Sequence, residues 1–398
     1  MTTAVPPHVR PEQVYCFDIY QDQRLLADLH LGYRALQLAA PEIFYTPLNG
    51  GHWMVTRYDL VEAVLRNTEV FSNQEIEIPK TGSHFVAIPI NLDPPEHTPF
   101  RKMLMVHFTP RVIAAMHTSI DRWAQALIDK VYPQGHCNFI EELGGIFPVG
   151  VFMEMAGLPF ERHQEFRDMV TEFFGHIAPE RRIELQGKMF GEIEAVFRAR
   201  MAEPRDDLFT KLVHEQVDGR ALTMDELLSV GFLLFVAGLD TVANALTFSF
   251  HFLATRPDLQ DRLRADPEAM SGYIEETMRR FPVTNGVRLI RQDFTLAGAT
   301  LKAGEMIVAP MSVAGLDDRA NPDPETFDID RKGRKHFGFS TGPHLCLGHY
   351  LARAEMSAFI RRFLTRIPRF RLTDGFCPQY RAGVVMALEN LTLEWDVG

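Results

Sequence analysis

One cysteine is placed where a thiolate could form and be used. The stretch Phe339-Ser-Thr-Gly-Pro-His344-Leu-Cys346-Leu-Gly348 carries Cys346 from a Gly/Pro loop to the start of a helical run, HYLARAEMSAFIRRFL. A helix N-terminus presents unpaired N–H groups and positive potential, and both favour thiolate over thiol. Such a sulfur could be a nucleophile, a redox thiol or a metal ligand. No second cysteine lies nearby, which weakens the redox-pair reading. Gly342 and Gly348 argue for close backbone approach to something. Three further constellations stand out. Asp240 and Thr241 are an acid and an alcohol inside an otherwise apolar run, where the residues alone suggest an N-cap pair or a helix–helix hydrogen bond. His97 and Arg101 lie four apart after Asp93-Pro-Pro, so they share a helical face; as two cationic donors they suit a dianion, and in isolation they are a surface pair. Glu276 and Arg279, three apart, also share a face, although most such pairs are solvated.

The elements that must position these residues are mostly helical. Residues 21–38 carry apolar side chains at helical spacing, residues 52–56 alternate like a strand, and Tyr58 to Arg66 reads as a short helix. Thr109-Pro110 opens a helix expected to run to about Val131, with Thr as N-cap and Pro at N1. Residues 181–202 are strongly amphipathic, and Arg256-Pro257 and Asp266-Pro267 start two more helices. The run from Leu227 to Ala254 has only Asp240 and His251 as ionisable groups and is long enough to span a bilayer. It lacks an aromatic belt and has Asp225-Glu226 at its edge, so a buried central helix is expected. After Pro282, β-branched runs punctuated by Gly298, Gly304 and Pro310 predict a small sheet. Residues 317–335 form a polar loop, and 369–396 return to short strands. Without repeats or linkers, residues 1–398 read as one large helical domain with a small β region.

Composition bounds the function. The chain has 398 residues, 46% hydrophobic and 23% charged, with net charge −11. That excludes a disordered chain or fibre and disfavours non-specific binding to nucleic acid or anionic membrane. Four cysteines without a C-x-x-C pair form no disulfide framework or zinc ribbon, and the N-terminus lacks a signal-peptide pattern. A cytoplasmic protein is expected.

The pattern Phe-x-x-Gly-x-His-x-Cys-x-Gly at Phe339–Gly348 resembles the haem-binding loop of the cytochrome P450 family. The resemblance implies a mainly α fold with haem b buried between the long central helix and the cysteine loop, Cys346 as axial thiolate and iron ligand, and dioxygen as co-substrate. Phe339, Gly342 and Gly348 shape the loop; many members carry a glycine where this chain has Ser340. Glu276 and Arg279 match the family's E-x-x-R helix as a structural pair. The usual arginine is missing from the segment around Pro324–Phe327, where Arg331 is the candidate substitute. Asp240 and Thr241 match the oxygen-activating acid–alcohol pair, with Asp240 relaying protons and Thr241 facing the bound dioxygen. Ala237 and Gly238 precede them, Gly238 letting the helix open locally. His97, Arg101, Arg288 and His344 match propionate-binding positions.

Segment order and length resemble the bacterial, ferredoxin-dependent branch that includes camphor 5-monooxygenase. The shared segments include GGHW at 51, LDPPE at 92 and LTRIP at 364. Phe85 falls where that branch can carry a substrate-binding tyrosine; the phenylalanine keeps the ring and loses the hydrogen-bond donor. Leu233, Val236, Thr284, Val384 and Val385 fall on pocket positions, with Glu77 and Ile90 nearby. The resemblance implies a monooxygenase; the apolar pocket and Phe85 point to a small apolar terpenoid or norisoprenoid substrate, such as an ionone, and with no motif demanding a dimer a monomer is expected. Electrons would come from a [2Fe-2S] ferredoxin and its NAD(P)H-dependent reductase, docking near Arg101, Lys102 and the run Arg331–Lys335; no nucleic acid or membrane partner is expected. A peroxide-driven haem enzyme and a non-catalytic haem sensor stay open as rivals.

Overall fold

A computed structural model describes residues 3–80, 86–174 and 177–397. Its axis is the central helix, Met224–Ala254, whose apolar run is used as core. The helix begins on a reciprocal cap: Glu226 N–H donates to Thr223 Oγ1 at 3.2 Å, and Thr223 N–H to Glu226 Oε2 at 2.8 Å. Around it pack Phe147–Ala156, His163–Phe174 and Pro179–Ala202. Gly238 allows the closest approach, because a Cβ there would lie 2.6 Å from the Phe152 ring. The expectation that Gly238 opens the helix is therefore corrected. The helix is unbroken through this position, and the missing side chain makes room for a neighbour.

The cysteine helix, His349–Arg366, lies against His117–Val131. Phe139, Phe250, Phe359, Phe363 and Phe370 interlock beneath it with ring centroids about 4.4 to 6.4 Å apart, in edge and offset arrangements that aromatic quadrupoles favour. The single helix expected from Thr109-Pro110 is two, Pro110–Ala115 and His117–Val131. Met116 N–H bonds back to Ile113 O at 3.0 Å, a tight turn that no glycine or proline marks in the sequence.

The β region draws on both ends of the chain. Its main sheet runs Ile43–Thr46, His52–Val55, Met306–Pro310, Asn285–Ile290, Phe71–Ser72, antiparallel except where Met306–Pro310 meets His52–Val55. In this register Arg288 pairs with Ile307. A separate bridge joins Thr284 to Val385, tying the C-terminal segment to the start of that strand. Two short strands, Tyr380–Arg381 and Ala387–Leu388, form a hairpin against the central helix.

Candidate active site

The cysteine loop is closed by its own backbone. Cys346 N–H donates to Phe339 O at 2.8 Å, and both Ser340 (φ 59°) and Gly342 (φ 67°) take left-handed backbone. Ser340 holds this conformation without being glycine, a strained choice for an L-residue. Gly348 is the N-cap of the cysteine helix, and its N–H reaches the Cys346 sulfur. Arg353 lies 4.2 Å over the Phe339 ring and is fixed by Glu275 and His349. Even so, burial pushes the Cys346 thiol up, outweighing the Gly348 N–H and the fields of Arg101 and Arg353. The helix start thus favours the thiolate, as its position predicts, without offsetting burial by itself. A bound metal must supply the rest, because it deprotonates a coordinating thiol outright. Among the described residues no three His, Cys, Asp or Glu side chains cluster to hold a metal. A lone thiolate suits a metal that arrives with its own equatorial ligands.

A cationic cradle lies beside this loop. The His97 and His344 rings are 4.6 Å apart, and Arg101 donates to Leu345 O within the loop. Arg288 is 4% exposed, and its Nε and the Nε2 of His344 have no hydrogen-bond partner among the described residues. Burial pulls Arg288 down to about 10, with only Asp93 opposing. Burial and then the charges of Arg288, His97 and Arg101 push His344 down to about 3. Two guanidinium groups and two imidazoles that converge here, with buried nitrogens left unpaired, fit the two carboxylates of a haem edge.

On the central helix, Asp240 is buried and accepts from Asn244 Nδ2 at 2.9 Å. Burial raises its pKa, against Arg381, Asn244 and Arg167. Thr241 Oγ1 donates back to Ala237 O at 3.1 Å. Leu233, Ala237 and Thr241 form a partly exposed stripe at four-residue spacing along a helix that is otherwise largely buried.

The Glu276–Arg279 pair is fully buried rather than solvated. Arg279 grips the carboxylate at 2.7 and 2.9 Å and donates to the carbonyls of Gly315, Pro324 and Thr326. Asp328 N–H adds a bond at 3.0 Å, Arg331 Nε one at 3.3 Å and Arg334 Nε one at 2.8 Å. Arg331 thus occupies the third place together with Arg334, which the basic run alone would put in a surface patch. With side chains 9% and 13% exposed, these two are spent inside the fold. Lys332 and Lys335 stay exposed.

The comparisons with known proteins agree with this geometry. The cytochrome P450 family model matches residues 145–375, more than half of the chain. The chain belongs to the cytochrome P450 family. It is 32% identical to the probable cytochrome P450 127A1 of Sinorhizobium fredii (strain NBRC 101917 / NGR234), across 99% of this chain and 97% of that protein. It is also 32% identical to the steroid C26-monooxygenase of Mycobacterium tuberculosis (strain ATCC 25618 / H37Rv), across 84% of this chain and 86% of that one. The solved structure of CYP101J2 superposes with TM-score 0.92 at 35% identity, covering 99% of this chain and all of that one. CYP101C1 superposes with TM-score 0.91 at 28% identity, with the same coverage. The chain is therefore a haem-thiolate monooxygenase of the P450 fold, related to CYP101-type bacterial enzymes. Its cofactor is haem b, bound through the Cys346 thiolate between the central helix and the cysteine loop, and it uses dioxygen. Like other P450s it needs a source of electrons.

Of the expected pocket residues, Thr284 and Val385 are joined by their bridge, with Val384 adjacent. Leu233 and Val236 lie on the central helix. Phe85 lies outside the described residues. Glu77 is paired with Arg182 at 2.8 Å and so does not stand as a free charge. Sequence reasoning missed Asn244, Arg167, Arg381 and Arg353. Only Asn244 had a usable signal, its four-residue spacing from Asp240.

Proposed function

We propose that this P450 hydroxylates a small apolar terpenoid or norisoprenoid of the ionone type, using electrons from a [2Fe-2S] ferredoxin. One observation carries the substrate reading. Among the wall positions Leu233, Val236, Thr284, Val384 and Val385, the one polar side chain is Thr284, and its hydroxyl is turned to Met311 Sδ at 3.6 Å. A wall that offers no free donor selects by shape and buried apolar area. Phe85 in place of a tyrosine points the same way. Loss of a ketone-directed hydrogen bond weakens discrimination by about 1–3 kcal/mol.

In this reading His97, Arg101, Arg288 and His344 hold the two propionates and Cys346 holds the iron. Bound haem supplies the site for dioxygen and, through its thiolate, the electron density that favours O–O cleavage. The protein supplies protons and dryness. Asp240 carries a proton inward from solvent, and the Thr241 hydroxyl, turned away from the Ala237 carbonyl, would pass its own proton to the co-substrate as it takes this one. Leu233 and Val236 keep other water out.

The ferredoxin reading rests on Arg101 and Lys102 with exposed Met105, Val106 and Leu345 around them. A basic rim with apolar contacts suits an acidic iron–sulfur protein. Four free cysteines suit a reducing cytoplasm. We take the chain to work as a monomer and a single unit. Titration of the ferric enzyme with ionones and with camphor, read as the haem spin-state shift, tests the substrate. Tighter binding and a fuller shift with ionones are expected; a clear camphor preference would sink the proposal.

A further inference from the structure

Among the described residues, one carboxylate comes within ion-pair distance of the cradle. Asp93 lies at the turn before helix His97–Met105, and its backbone carbonyl accepts from His97 N–H at 2.9 Å. Its side chain is 3% exposed. It accepts from the Ser72 hydroxyl and from Asn73 N–H, the latter at 3.0 Å. Ser72 pairs with Leu289, the chain neighbour of Arg288, so Asp93 is fastened to the strand that carries the buried arginine of the cradle. Asp93 Oδ1 is 4.0 Å from His344 Nε2, and the field of Asp93 reaches both Arg288 and His97.

A buried anion is out of place here. Two propionates must enter the same cradle, and like charges away from water repel strongly. Fastening to Ser72 and Asn73 needs no charge: an asparagine could accept from the Asn73 N–H and donate to the Ser72 hydroxyl. The compensating cation is Arg291, and it compensates poorly. Its Nη1 is 3.4 Å from Asp93 Oδ2, a single long contact, and its side chain is 44% exposed. A committed arginine looks different: Arg353 meets Glu275 with Nε at 2.5 Å and Nη2 at 3.2 Å. Much of the negative charge of Asp93 is therefore left to act on the cradle.

We propose that Asp93 is a positioning residue of the haem edge, whose buried charge offsets that of Arg288 in the field the propionates meet and so keeps the bound haem harder to reduce. Reduction adds one electron, and with it one negative charge, to the iron. A fixed anion nearby opposes that step and a fixed cation assists it. The electron donor must then be more strongly reducing than the two guanidinium groups alone would require. The proposal rests on the reading that places the propionates among His97, Arg101, Arg288 and His344.

The test is the reduction potential of the substrate-free holoenzyme, titrated spectroelectrochemically with dithionite and redox mediators. Asp93→Asn should raise it by about tenfold in the reduction equilibrium, or about 59 mV for a one-electron couple. Asp93→Glu, which keeps the charge, should stay near the wild type. Arg291→Gln, which leaves Asp93 less compensated, should move the potential the other way by a smaller amount. A potential unmoved or lowered in Asp93→Asn overturns the inference, and so does an equal rise in Asp93→Glu. If Asp93→Asn holds no haem, Arg291→Gln carries the test, and a potential unmoved or raised there overturns it equally. Haem transfer to apoglobin keeps the underlying reading separate: a transfer rate unchanged in Arg288→Gln overturns instead the placement of the propionates.

Discussion

Glu276 and Asp240 are both buried carboxylates on helices, yet they hold protons in opposite ways. Burial raises both. At Glu276 it is overcome by Arg279, the Asp328 N–H and Arg334, and the carboxyl falls to about 2. At Asp240 burial wins over Arg381, Asn244 and Arg167. The difference is donor geometry. Glu276 receives a two-bond grip and three further donors within 3.3 Å. Asp240 receives one neutral amide bond at 2.9 Å and a guanidinium at 3.8 Å. A fully satisfied buried charge fixes structure, whereas an under-satisfied one stays able to take and release a proton.

The largest expected effect tests the fixed member. Glu276→Gln leaves Arg279 buried without its counter-charge, which costs about 3–5 kcal/mol. Urea titration should show the loss, together with poor haem incorporation. The pH dependence has a definite sign. The Glu276 pKa falls from 4.5 to about 2 on folding. Its stabilisation, of order 3 kcal/mol at most, is present above about pH 4.5 and lost as pH falls toward 2. Acid unfolding of the wild type should therefore steepen in that window, and Glu276→Gln should flatten it.

The movable member should behave in reverse. Asp240→Asn should change unfolding stability by less than about 1 kcal/mol while lowering coupled turnover by roughly a hundredfold. Because folding raises the pKa of Asp240, whatever stability this group adds is present at low pH and lost as pH rises through its folded value. A large stability loss in Asp240→Asn would place it in the same class as Glu276 and break the contrast.

Arg288 sharpens the comparison as a buried cation with an unpaired nitrogen among the described residues. Arg288→Gln should speed haem loss to an apoglobin acceptor by on the order of tenfold, the worth of one charge-assisted bond, with little change in Thr241 chemistry. The smallest effect is expected at Ser340, whose left-handed backbone glycine would adopt freely. Ser340→Gly should raise the unfolding free energy by at most about 1 kcal/mol.

Much of this was legible in the sequence where chemistry is local. The Cys346 loop and the short helix Tyr58–Arg66 each announce themselves within a few residues. So did the Glu276–Arg279 pair, but its burial did not, because three-residue spacing is the same for a solvated pair. Arg334 was misplaced for a related reason: a basic run reads as surface until the chain folds two of its arginines inward. Arg381 gave no signal, since its partner lies 141 positions away (381 − 240). Met116 gave none either, because the turn that splits two helices there uses no turn-forming residue.

The central claim is that Cys346, whose thiol burial alone would keep protonated, becomes a thiolate on haem iron. The carbon monoxide difference spectrum of the dithionite-reduced protein tests it most directly, with Cys346→Ala as control. A strongly red-shifted Soret band is expected in the wild type, and its loss in the variant. An unshifted band in the wild type, or a red-shifted band that survives in Cys346→Ala, would contradict it.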